Sequence, residues 1–287
     1  MMLKGKRLMV TGASQGFGLA AAKAFLREGA RVAVCSRTQE DLDSAVGELS
    51  ALSGDSGSVL GRVCDVTSPA QLEAFAADTF RVFAGLDGVL CNAGVYGPKG
   101  PSDEVDWQAW SQAIDINLKG VVLTCRAVLP VLKAAARGKI LIMSGGGATS
   151  PMPFLSAYAA SKAGVVRFAE SLALEVRDHG IQVNCIAPGA LNTRMLDEVL
   201  EAGPELVGQG FYDKMLDIKT KGGTPLETGV DLCVHLASDQ SGPLTGKLLS
   251  AVWDPWREFT DHAQDLNGTD IFTLRRIIPR DRGKDWG

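Results

Sequence analysis

Short runs rich in Val, Leu, Ile, Ala and Cys alternate with longer amphipathic stretches from the first residues of the chain. Arg7–Thr11, Arg31–Ser36, Val59–Asp65, Leu86–Cys91, Lys139–Ser144 and Gln182–Ile186 are nearly continuous in apolar residues. Runs of that length without a polar face read as strands covered on both sides. Helical spacing fills the intervals near 17–28, 39–51, 69–84, 104–135 and 155–178, with a last helix near 226–238. Gly29 and Gly180 stand just past two helix ends, where a left-handed residue is favoured. The alternation predicts an α/β fold: a parallel sheet of about seven strands, helices on both faces, wound by right-handed crossovers.

Two regions break this rhythm. Residues 191–225 mix helical signals with Gly203, Gly208, Gly210, Gly222 and Gly223, as a mobile lid would. From Val252 onward no period survives, yet three of the five tryptophans (Trp253, Trp256, Trp286) fall there. With no repeat or linker before about 250, residues 1–252 are expected to form one domain that includes the lid. Residues 253–287 are expected to pack over its surface near the substrate mouth, or on a neighbouring subunit, because bulky indoles mark packing and interfaces.

Composition narrows the partners. A net charge of −4 in 287 residues offers no basic field for a phosphate backbone, so nucleic acid is not expected. No apolar run approaches the roughly 20 residues that span a bilayer, and Met1–Val10 is too short an apolar stretch for a signal peptide. A cytoplasmic protein without a membrane partner is the expectation. The six cysteines form no CxxC pair and there are three histidines, His179, His235 and His262. Zinc spacing is absent, no metal site is expected, and the thiols read as buried small hydrophobes.

The first predicted strand runs into Thr11-Gly12-Ala13-Ser14-Gln15-Gly16-Phe17-Gly18 and then a helix. Glycines at such a junction let backbone approach a pyrophosphate, while the helix N-terminus offers unpaired N–H groups and a positive dipole end. Alone, a glycine cluster also suits an ordinary turn. Further motifs follow in order: Asp65-Val66 after the third strand, Asn92-Ala93-Gly94 after the fourth, and Asn117 in a predicted helix. Then come Tyr158-Ala-Ala-Ser-Lys162 and Pro188-Gly189 with Thr193.

In this ordered set, over about residues 1–250, the chain resembles the short-chain dehydrogenase/reductase family, whose first loop reads TGxxxGxG. The resemblance implies a Rossmann-like doubly wound sheet and an oxidoreductase that moves a hydride between a nicotinamide cofactor and a small carbonyl or alcohol. It implies that Gly12, Ser14, Gln15, Gly16, Phe17 and Gly18 hold the pyrophosphate, and that Asp65 and Val66 face the adenine. Asn92, Ala93 and Gly94 would lie by the ribose and strand ends, and Pro188, Gly189 and Thr193 by the nicotinamide. Tyr158 would be the general acid or base, and Lys162 would bind the nicotinamide ribose. Asn117 would anchor a water linking Lys162 to solvent, and a homodimer or homotetramer is expected.

The residues themselves bear on two of these points. An NAD-type site wants a carboxylate at the end of the second strand, where this chain has Ser36 followed by Arg37. A guanidinium binds phosphate bidentately, so NADP(H) is the expected cofactor and NAD(H) the alternative. Gln15, however, stands where NADP-using relatives often carry a base. Tyr158 and Lys162, four apart, share one helix face, and a nearby ammonium lowers a phenol from its ordinary value near 10.

The serine that relatives carry thirteen residues before the tyrosine is Gly145 here, within Ser144-Gly145-Gly146-Gly147. Ser144, one residue early, would face the other way in an extended strand. A bulge in the glycine run could turn it inward, or Thr149 or Ser150 could swing in. Three readings are therefore open: an NADP-dependent reductase or dehydrogenase, a cofactor-binding module whose catalysis has decayed, and a nicotinamide-assisted lyase or epimerase. Tyr158, Lys162 and Asn117 argue against decay, and Gly145 argues for it.

Overall fold

The computed structural model describes residues 1–286. Seven parallel strands form one sheet in the order β3-β2-β1-β4-β5-β6-β7. They are β1 (Arg7–Thr11), β2 (Arg31–Ser36), β3 (Val59–Val63), β4 (Gly88–Cys91), β5 (Gly138–Met143), β6 (Ile181–Ala187) and β7 (Leu248–Ser250). The order reverses direction between β1 and β4. Ligands of open α/β sheets bind at that switch, outside the carboxyl ends of the strands.

Alternation of side chains along each strand builds two cores. On one face, Leu8 and Val10 of β1 and Val32 and Val34 of β2 meet Ala21, Phe25 and Leu42, from α1 (Gly16–Arg27) and α2 (Gln39–Ser53), and Val230 and Cys233 of a later helix (Leu226–Ala237). On the other, Met9, Ala33 and Cys35 meet Leu72 and Phe75 of α3 (Pro69–Phe83). Of the remaining helices, α4 spans Trp107–Ile114, α5 Gly120–Ala135 and α6 Ser156–Glu175. Both α5 and α6 cover that second face, through Cys125, Val128, Val165 and Ala169. All six cysteines are buried and free.

Several boundaries differ from those expected. β3 stops at Val63 because Asp65 folds the chain back, its Oδ1 accepting from the Thr67 N–H at 2.9 Å. β4 starts at Gly88 because Asp87 is engaged by Arg7, at 2.7 Å from Nε and 3.0 Å from the backbone N–H. The helix expected over 104–135 begins at Trp107, where Asp106 caps the Ala109 N–H, and is interrupted by a π turn over 115–119. Such turns are often found at functional sites.

Residues 191–225 form three helices, α7 (Arg194–Ala202), α8 (Pro204–Val207) and α9 (Gln209–Lys221), before α10 (Leu226–Ala237). Leu196, Val199, Val207 and Met215 give the three a small core of their own, separate from the two main ones. Beyond β7 the chain packs back on itself. Trp256 is buried with its ring 5.3 Å from that of His235 on α10. The Leu248 N–H of β7 donates to Phe272 O at 2.8 Å. Lys247 Nζ donates to Thr269 O and Ile271 O, both at 2.9 Å, and Glu170 accepts from the Leu274 N–H at 2.7 Å.

Candidate active site

The carboxyl ends of the strands open into a cleft of about 1360 Å³. Leaving β1, the chain turns through Gly12 (φ +64°) and Gly16 (φ +56°) into α1. A Cβ on Gly12 would lie 2.8 Å from Ala93 Cα, and one on Gly18 would lie 2.4 Å from both Asn92 Nδ2 and Gly12 O. The first and fourth strand ends thus approach this closely only because two side chains are missing. A Cβ on Gly16 would meet no neighbour within 4 Å. Helix α1 starts without a side-chain cap at Gln15 and has no acidic residue in its first turn. Its leading N–H groups and dipole end are therefore open to an anion, and the pyrophosphate of a dinucleotide fits there.

Asn92 helps to hold this turn. Its Nδ2 donates to Gly12 O at 2.8 Å and Thr11 O at 3.1 Å, while Thr11 Oγ1 accepts from the Asn92 and Ala93 N–H groups at 3.0 and 3.2 Å. Thr11 was not among the residues expected at the site, although a buried polar side chain closing a strand is a readable signal. Ser14, Phe17 and Gly94 line the same wall.

Ser36, Arg37, Asp65 and Val66 line the adjoining end of the cleft, at the tips of β2 and β3. Arg37 is exposed and makes no ion pair among the described residues. Asp41 of α2, not anticipated from the sequence, lines the same end and accepts a hydrogen bond from Thr38 Oγ1. The charge at this end of the cleft is set by Arg37 and Asp41 together.

Tyr158 and Lys162 sit in the first two turns of α6, both buried and both lining the cleft. Lys162 Nζ lies 5.6 Å from the Tyr158 ring centre and donates to Met143 O at 2.8 Å. Burial lowers Lys162 to about 8. Burial pushes the Tyr158 phenol up, with a smaller push from Tyr96. Asn117 is the one expected site residue that lies outside the cleft wall. Fully buried in the π turn, it accepts from the Val95 N–H at 2.8 Å. Its Nδ2 donates to Val95 O at 2.8 Å and Ser161 Oγ at 3.0 Å.

The strand end before Tyr158 shows no bulge. Register between β5 and β6 is unbroken from Gly138 to Met143, and the Ser144 N–H extends it to Ile186 O at 2.8 Å. Ser144 Oγ is buried and has no hydrogen-bond partner among the described residues. Gly145 is extended, and a Cβ there would lie 2.4 Å from Tyr158 Oη. The tyrosine hydroxyl occupies the volume that a side chain at 145 would need.

Pro188, Gly189 and Thr193 follow β6 along the wall, and Gly189 (φ +97°) passes where a Cβ would meet Thr224 Oγ1 at 2.6 Å. The far end is lined by Tyr96, Met152 and Phe154, by Met195, Phe211 and Met215 of the lid, and by Trp253 and Phe272 of the tail. Met195, Phe211 and Met215 fall within the stretch expected to form a lid. Tyr96 and Phe272 carried no signal, because only the fold brings them to the cleft.

The family model for short chain dehydrogenases matches residues 6–203. The chain belongs to the short-chain dehydrogenase/reductase family, whose members are oxidoreductases that use NAD(P)(H) and act on CH–OH or C=O groups of small molecules. It is 35% identical over 191 residues to bovine "Dehydrogenase/reductase SDR family member 4", covering 67% of each chain. Among solved structures it resembles NAD+-bound xylitol dehydrogenase (TM-score 0.77, 25% identity, 87% of this chain and 98% of that one). It also resembles actinorhodin polyketide ketoreductase with NADPH (TM-score 0.78, 28% identity, 87% and 97%). Among the described residues no helix is long and apolar enough to cross a membrane.

Proposed function

We propose that this protein is an NADP(H)-dependent reductase or dehydrogenase of small carbonyl or alcohol substrates, with Tyr158 as its proton donor and acceptor. The observation that carries this reading is the pairing of Tyr158 and Lys162 in the wall of the cleft, with Lys162 Nζ 5.6 Å from the tyrosine ring centre. When bound, the nicotinamide supplies or takes up the hydride. Gly16 leaves open space for its pyrophosphate at the N-terminus of α1, in a turn that Gly12 and Gly18 let pack against Asn92 and Ala93, and Ser36 with Arg37 receive the 2′-phosphate. Asp65 and Val66 border the adenine, and Asn92 to Gly94 and Pro188 to Thr193 flank the remainder.

Tyr158, neutral at ordinary pH in this buried setting, gives its proton to the carbonyl oxygen in reduction and recovers it in oxidation. The Lys162 ammonium favours the phenolate that remains, opposing the effect of burial. Asn117 fixes the loop opposite. Residues 1–252 act as the catalytic domain with the lid over the substrate, and residues 253–286 extend it as an outer wall.

The test combines two variants. A charge-assisted hydrogen bond contributes about 1.5–3 kcal/mol. Arg37→Ala should therefore weaken NADPH binding about ten- to hundredfold and spare NADH, as read by nicotinamide fluorescence titration. Tyr158→Phe should bind NADPH normally and lose turnover of a ketone panel. Equal affinity of the wild-type protein for both cofactors would overturn the NADP assignment. Normal turnover by Tyr158→Phe would overturn the proton relay, and product formation without net cofactor change would point to a lyase or epimerase.

A further inference from the structure

With Gly145 in place of a hydroxyl-bearing side chain, Tyr158 has no neighbouring hydroxyl at that position. Ser144 lines the cleft with its backbone held in the β5–β6 ladder and its hydroxyl buried and unpartnered among the described residues, one residue away from the position that faces Tyr158 Oη. A carbonyl being reduced develops negative charge on oxygen, and one preorganised donor removed from such a site commonly costs about 10²–10³ in rate. Another donor that faces Tyr158 would therefore matter, and the cleft contains one.

Tyr96 lies opposite Tyr158, with ring centres 4.7 Å apart and planes inclined by 59°. Its loop is pinned one residue earlier, where Asn117 grips both polar groups of the Val95 backbone. On its other side Tyr96 packs against the lid core of Leu196, Val199 and Met215. Tyr96 is half-buried and lines the cleft, and its hydroxyl makes no hydrogen bond among the described residues, so its proton is free for a ligand. Burial, helped by the Glu198 carboxylate, pushes this phenol up, so it carries its proton at neutral pH.

We propose that Tyr96 is the second substrate-binding hydroxyl of this enzyme, donating a hydrogen bond to the carbonyl oxygen that Tyr158 protonates and doing so where position 145 offers no side chain. The proposal rests on the reading of Tyr158 given above. In the reduction, hydride goes from the reduced nicotinamide to the carbonyl carbon and the Tyr158 Oη proton goes to the oxygen. Tyr96 keeps its own proton throughout. Because the ring also touches the lid core, a closed lid and a correctly placed Tyr96 are one arrangement. That couples substrate enclosure to oxygen binding.

Tyr96→Phe, Tyr96→Leu, Ser144→Ala and Tyr158→Phe should be assayed with NADPH and whichever cyclic ketone, cyclic diketone or ketosteroid the wild-type protein reduces fastest. Tyr96→Phe keeps the ring and loses the hydroxyl. It should lower kcat and kcat/KM together by about a hundredfold, with NADPH affinity and thermal midpoint unchanged, and Ser144→Ala should stay close to wild type. If Tyr96→Phe is normal while Tyr96→Leu is impaired, the ring serves packing alone and the proposal fails. It fails too if Ser144→Ala is the inactive variant. In either case an inactive Tyr158→Phe leaves the proposed function standing, whereas an active Tyr158→Phe removes that function itself.

Discussion

At the end of the cleft formed by β1 to β4 the walls are largely backbone. Gly12 and Gly18 let two strand ends touch, Thr11 and Asn92 lock them, and the open N-terminus of α1 faces inward. At the other end the walls are side chains. Tyr96, Met152, Met195, Phe211, Met215, Trp253 and Phe272 come from four separate stretches of chain, and the lid among them rests on a small core of its own. The backbone end depends on residues that are missing a Cβ, so a single added carbon disrupts it. The side-chain end depends on apolar volume, which tolerates exchange. One end is fixed by its turns, while the other is free to vary in shape.

The contrast is most exposed where the two ends meet, at Gly145. Gly145→Ser should lower kcat by about a hundredfold or more, the scale of a lost general acid, because its Cβ needs the place held by Tyr158 Oη. A gain of activity in steady-state assays would show instead that the site lacks a serine and accepts one. Next in size is Gly18→Ala. Overpacking costs about 1–3 kcal/mol, and here the added carbon meets Asn92 Nδ2 and a backbone oxygen. NADPH affinity should fall roughly tenfold or more by fluorescence titration, and an unchanged dissociation constant would remove the distinction between the two ends.

The smallest effect is expected from Met215→Ala. Its core belongs to the lid alone, so the loosening should remain local. The main unfolding midpoint should move by less than the roughly 2 °C that 1 kcal/mol would produce in a chain of this size. KM should rise, and protease cleavage within 191–225 should quicken. A large drop in the midpoint would show the lid to be continuous with the main cores.

The same difference explains what could be read in advance. β1 and β2 run Arg7–Thr11 and Arg31–Ser36 as expected, since strands buried on both faces leave an unmistakable apolar run. The glycine turn was legible because backbone approach has a residue signature. The errors fall where side chains overrule the pattern. Asp106 delays the start of α4, Asp87 shortens β4, and the π turn at 115–119 splits a stretch whose apolar period is continuous. Asp41 and Tyr96 lay outside every motif, and no periodicity places them beside Arg37 and Tyr158. The bulge considered at Ser144 was a question about register, which one strand read by itself does not answer.

The hydrogen bond from Leu248 to Phe272, with the Lys247 ammonium on Thr269 O and Ile271 O, has a consequence for how the sheet ends. A terminal strand presents unpaired N–H and C=O groups that can template pairing with any extended chain. At the opposite margin β3 carries Arg62, tied to Asp78 at 2.7 Å, a charge that discourages such pairing. β7 has three residues, Leu248 to Ser250, and two of them are apolar. Its guard is the tail. A segment without strand periodicity can occupy a sheet margin without offering a second margin beyond it, so the aperiodic stretch around 269–274 is what stops growth of the sheet. A chain cut before Thr269 would carry an open, apolar margin on a strand whose Leu248 and Ser250 line the cleft.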